Sequence, residues 1–103
     1  MTPSPAGARS KIRVLIADDH PIVLRGFAAL LESTNRFDIV ASCSNGNDAL
    51  RGIIRHRPDV AILDINMPGM RGIDVARLMR CEGTRAVLLG AKLTSRDLLE
   101  AVR

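Results

Sequence analysis

The sequence contains no tryptophan and no tyrosine, and only two phenylalanines in 103 residues. A core built from it has to be aliphatic, made of Ile, Leu, Val and Ala. The same shortage bears on the charge. A net charge of +4 and a pI near 10 can signal nucleic-acid binding. Yet no aromatic side chains interleave the arginines to stack on bases. The arginines are also dispersed, from Arg25 and Arg36 through Arg51, Arg55 and Arg57 to Arg71, Arg77 and Arg80. They fit the solvated faces of helices better than a single binding patch.

Cysteine is scarce as well. Cys43 and Cys81 lie far apart and in no metal-ligand spacing. They are expected to be reduced, small hydrophobic residues of a cytoplasmic protein. No apolar run approaches the length of a membrane span, so no membrane partner is expected. The first residues, MTPSPAGARSK, lack the apolar stretch of a secretory signal. Their Pro, Ser, Gly and Ala content predicts a flexible lead-in over 1–11.

What remains is strongly patterned. Residues 11–17 (KIRVLIA), 37–43 (FDIVASC), 59–63 (DVAIL) and 86–91 (AVLLGA) are short, apolar, strand-like runs. Helix-period stretches alternate with them. Val23, Phe27, Leu30 and Leu31 stripe a helix that Pro21 can open and that ends near 33–35. Leu50, Ile53 and Ile54 line a second, with Asn47 as its expected N-cap and Pro58 after it. Ile73, Ala76 and Met79, beside Val75 and Leu78, stripe a third. Thr94 or Ser95 can cap a last one bearing Leu98, Leu99 and Val102. Strand–helix alternation of this kind predicts an α/β fold with a parallel sheet buried on both faces. Ligands of such sheets bind at the carboxyl ends of the strands, where the strand order reverses.

Three carboxylates occupy such ends: Asp18 and Asp19 after the first strand, Asp64 after the third. A lone aspartate there is ordinarily a turn former or helix cap. An adjacent pair with a third on another strand is harder to explain so. Gathered together, they repel and raise one another's pKa values. A hard, oxygen-seeking cation such as Mg²⁺ relieves this and also draws in phosphoryl oxygens. One of the carboxylates can then attack phosphorus to form an acyl phosphate.

The runs VLIADDHPIVLRGF and DVAILDINMPGMRGID resemble the receiver domain of bacterial two-component response regulators. The DDHP opening is similar to the branch whose receivers precede a LuxR/NarL-type helix-turn-helix domain. The D-x-x-M-P-x-x-x-G run at Asp64, Met67, Pro68 and Gly72 carries much of the likeness, which extends from about Ile12 to the C-terminus. The resemblance implies a flavodoxin-like (CheY-like) sheet with strands 1 and 3 adjacent, in the order 2-1-3-4. It implies that Asp64 accepts a phosphoryl group from a sensor histidine kinase. Asp19 matches the direct Mg²⁺ ligand, and Asp18 the acid that acts through water. Asn66 matches the position whose backbone carbonyl ligates the metal. Pro68 and Gly72 shape the adjoining loop. His20 is expected to belong to the turn into the first helix, and Met67 and Met70 to loop packing, since Mg²⁺ disfavours thioether.

Two departures stand out. Receivers carry Ser or Thr at the end of strand 4, a hydroxyl that meets the phosphoryl group; here the position is Gly90, followed by the small Ala91. Receivers also carry a lysine at the end of a fifth strand. The receiver is therefore expected over 12–103 as a unit incomplete at its C-terminus, truncated before strand 5. An open strand-4 edge invites a homodimer. Any DNA contact belongs to an output domain outside this sequence. The expected function is a non-enzymatic phosphoacceptor controlling transcription. The alternative is a degenerate receiver that acts as a dimerisation or interaction module, which Gly90 favours. An aspartyl phosphatase fits less well, because Asn66 stands where such enzymes place a second acid.

Overall fold

The computed structural model describes residues 11–79 and 83–90. Seven elements alternate along the chain: β1 (Ile12–Ala17), α1 (Pro21–Ser33), β2 (Phe37–Cys43), α2 (Gly46–His56), β3 (Val60–Asp64), α3 (Gly72–Leu78) and β4 (Arg85–Leu89). The strands form one parallel sheet in the order β2-β1-β3-β4. That is the flavodoxin-like order, with the reversal between β1 and β3. The expected end of the fourth strand at Ala91, the last helix and Cys81 lie outside the described residues.

The alternation of side chains along β1 explains why helices cover both faces. Leu15 and Ala17 point one way, packing with Ala61 and Leu63 of β3, Ala49 and Ile53 of α2, and Val75 and Met79 at α3. Val14 and Ile16 point the other way, with Ile62, onto Leu24, Phe27, Ala28 and Leu31 of α1. Burial on both faces holds for the central strands. The outer strands differ: β4 is largely exposed, with Val87 43% accessible.

The expected helix faces need correction by one position. In α1 the face against the sheet is Leu24, Phe27, Ala28 and Leu31, while Val23 and Leu30 face outward. In α2, Ala49 and Ile53 are buried and Ile54 is exposed. In α3, Leu78 is exposed. The N-cap of α2 is Asn45, not Asn47: the Asn45 side chain accepts from the Asp48 amide at 2.8 Å. The helix starts earlier because Gly46 is already helical. A Cβ there would overlap the Met70 carbonyl, so only glycine lets the β3–α3 loop lie on the α2 N-terminus.

Candidate functional site

The pairing of β1 with β3 sets Ala17 beside Leu63, so the next residues, Asp18 and Asp64, emerge together at the carboxyl end of the sheet. The Asp18 amide donates to the Cys43 carbonyl at 3.0 Å, which carries the β1–β2 ladder one residue further. Asp19 follows at the rim. Ligand atoms of Asp18, Asp19, His20 and Asp64 all lie within 4.8 Å of one another. Asp18 and Asp64 are half-buried, while Asp19 and His20 are exposed.

The side chains also organise their own loops. Asp18 Oδ1 accepts from the His20 amide at 2.8 Å, turning the chain into α1. Asp64 Oδ1 accepts from the Asn66 amide at 3.3 Å. Turn formation is thus part of what these aspartates do, and they still converge. His20 does more than the turn expected of it. Its Nδ1 sits 2.8 Å from Asp18 Oδ1 and 2.9 Å from Asp19 Oδ1. The hydrogen bond to Asp18 and the charge of Asp19 raise its pKa. Asp64 is pushed up as well, first by burial of its carboxylate and then by the charges of Asp18 and Asp19, against the opposing Asn66 hydrogen bond.

These residues open into a cleft of about 490 Å³ lined by Asp18, His20, Val23, Asp64, Asn66, Leu89 and Gly90. Gly90 is therefore at the site, at the end of β4, and contributes no side chain. Ala91 lies outside the described residues, as do Thr94 and Ser95. Met67 is buried in the core and Met70 packs against it, and neither is among the residues lining the cleft. The Pro68 carbonyl accepts from the Gly46 and Met70 amides. Gly72 allows the start of α3 to lie against the Asp64 carbonyl, which a Cβ would overlap. Val23 and Leu89 line the cleft unforeseen; their apolar character made them core candidates, and no sequence signal separates a cleft wall from a core.

The arrangement defines a class: flavodoxin-like α/β proteins with a carboxylate cleft at the reversal of strand order. Comparison with known proteins narrows it. The model of the response regulator receiver domain matches residues 14–103. The nitrate/nitrite response regulator homolog of Haemophilus influenzae is 40% identical over 81 residues, covering 79% of this chain and 39% of that protein. A protein-glutamate methylesterase/protein-glutamine glutaminase of Oleidesulfovibrio alaskensis is 36% identical over 83 residues, 81% of this chain and 22% of that protein. Among solved structures, the signal receiver domain of the response regulator NarL from Mycobacterium tuberculosis superposes with a TM-score of 0.87 at 36% identity, covering 90% of this chain and 77% of that one. The chain belongs to the response regulator receiver domain family, in its LuxR/NarL-type branch. It spans about two fifths or less of the length of these curated relatives.

Proposed function

We propose that this chain is a phosphoacceptor module in which Asp64 takes a phosphoryl group from the phosphohistidine of a sensor histidine kinase. The observation that carries the reading is the convergence of Asp18, Asp19 and Asp64 at adjacent strand ends. An Asp64 oxygen attacks phosphorus, the P–N bond of the phosphohistidine breaks, and its electron pair returns to the imidazole. The donor set suits Mg²⁺: hard carboxylate oxygens, with the Asn66 backbone carbonyl as a further candidate ligand, and a half-buried acid whose ionisation is opposed by its burial and then by Asp18 and Asp19. Asp19 would bind it directly and Asp18 through water. When bound, Mg²⁺ would offset the charge of the carboxylates and of the incoming phosphoryl oxygens. His20 leaves the Asp18 and Asp19 oxygens when the cation takes them.

In this reading the chain turns over no substrate of its own. It works in the cytoplasm and controls a helix-turn-helix output domain, through which alone it meets DNA. Among the described residues β4 has one strand neighbour, and a second copy pairing along it is the homodimer this reading allows; sedimentation over a concentration series tests that. The alternative, a degenerate receiver that acts only by interaction, is favoured by Gly90. Incubation with a small acyl phosphate and Mg²⁺ decides. The acceptor reading expects a mass gain of one phosphoryl group in wild type and none in Asp64→Asn. No gain in wild type, where a control receiver is labelled, favours the degenerate module.

A further inference from the structure

Glycine at position 90 is not required by the backbone. The glycines with positive φ among the described residues are Gly69 and Gly83. The constraint on Gly90 comes from a neighbour. The β3–β4 ladder pairs Asp64 with Leu89, and the Ile65 amide donates to the Leu89 carbonyl at 2.8 Å. Ile65 thereby comes beside Gly90. A Cβ added at Gly90 would lie 2.9 Å from Ile65 Cδ1, 3.4 Å from Cγ1 and 3.5 Å from Cβ. Only the terminal methyl of Ile65 is overlapped, the Cγ1 and Cβ distances being ordinary contact, and that methyl has to turn within the packing of a side chain that is 3% exposed.

We infer that Ile65 and Gly90 are a matched pair: Ile65 occupies the volume in which a side chain at position 90 would begin. Ile65 is then a positioning residue, since it decides whether position 90 can carry a group into the cleft. A hydroxyl at the end of β4 then depends on two residues rather than one. Restoring serine at 90 alone has to displace a buried methyl group. A functional consequence follows, and it rests on Asp64 being the phosphoacceptor. With no side chain at 90, an acyl phosphate on Asp64 has no side-chain donor at that position through which to pull on β4.

The test is a double-mutant cycle of wild type, Ile65→Val, Gly90→Ser and Ile65→Val/Gly90→Ser, with Gly90→Ala as a milder probe of the same contact. Valine lacks the Cδ1 methyl that comes closest. In urea unfolding, Gly90→Ser alone should lower the folded-to-unfolded ratio about tenfold through overpacking. In the Ile65→Val background the same change should cost about twofold or less. Equal losses in both backgrounds would overturn the pairing. The second readout is one that packing alone does not move: amide NMR shifts of Val87, Leu88 and Leu89 on adding beryllofluoride and Mg²⁺. They should be small in wild type and at least threefold larger in the double variant. Shifts at Asn66 without any gain at β4 in the double variant would overturn the functional consequence but leave the pairing. No shift at Asn66 in any of the four proteins would overturn the acceptor reading and that consequence with it, while the unfolding cycle still judges the pair.

Discussion

The two ends of the sheet are built on opposite terms. At the amino ends of the strands, hydrogen bonds join β1 to the end of α2 and to the segments that lead into β2 and β3, and the segment before β3 to the beginning of β4. The Arg13 guanidinium donates through Nη1 to the His56 and Arg57 carbonyls at 2.8 and 3.1 Å, meeting the last turn of α2. Its amide donates to Asp59 Oδ2, and the Asp59 amide returns a bond to the Arg13 carbonyl. Arg85 donates to the Asp59 carbonyl, Thr84 Oγ1 to the Pro58 carbonyl at 2.6 Å, and Ile12 to the Arg36 carbonyl. At the carboxyl ends, three carboxylates crowd together with one imidazole to offset them. One end ties strands and loops together; the other gathers like charge. The same strands serve both, because a parallel sheet sends all its carboxyl ends to one side.

The comparison is broken most severely at Gly72, where the carboxyl end depends on a close backbone approach. Gly72→Ala forces a Cβ into the Asp64 carbonyl. The obstacle is backbone and cannot rotate away, so the loss should be about 2–3 kcal/mol in urea unfolding, with reduced phosphoryl incorporation in the remaining folded protein. At the amino end, Arg13→Ala removes a charged donor from two carbonyls of α2 and its cap. About 2 kcal/mol should be lost. Phosphoryl incorporation per folded molecule should stay at the wild-type level, because Arg13 lies at the far end of β1 from Asp18. A variant that lost both together would show that the two ends are not separable. Thr84→Val is milder. It leaves the carbonyl of the buried Pro58 without its hydroxyl donor, and should cost about 1 kcal/mol.

This division was legible in the sequence at one end only. The carboxyl end announces itself, because Asp18, Asp19 and Asp64 directly follow apolar strands whose bounds the apolar runs place to within about one residue. The amino end is silent. Arg13 alternates within a strand as any outward residue does, and its partners are backbone carbonyls, which carry no residue identity. The helix faces slipped for a related reason. Apolar residues run through α1 without interruption from Ile22 to Leu24, so periodicity marks a stripe but not which edge of it the sheet covers. Asn45 and Asn47 both suit an N-cap by type. The choice fell to Gly46, whose contact with Met70 is long-range and invisible to local reading. The pairing of Ile65 with Gly90 was hidden likewise: the departure at 90 is visible, but its partner emerges only from the register of β3 with β4.

The smallest expected effect concerns pH and tests whether the carboxyl end really stores unfavourable charge. Burial, with the charges of Asp18 and Asp19, raises the pKa of Asp64 in the folded protein. In the unfolded chain the group titrates near the ordinary value of about 4. Below that value Asp64 is protonated in both states. As pH rises the unfolded chain releases its proton first, so folding loses stability progressively until pH exceeds the folded-state pKa. Asp64→Asn cannot ionise and escapes this loss. In cation-free buffer, the urea midpoint of Asp64→Asn minus that of wild type should therefore grow from about pH 4 upward and then level off. Mg²⁺ should shrink the difference by binding the ionised wild-type cleft preferentially. A difference that stays flat with pH, or falls, would mean that Asp64 is as comfortable ionised in the fold as in water, and the contrast between the two ends would lose its electrostatic basis.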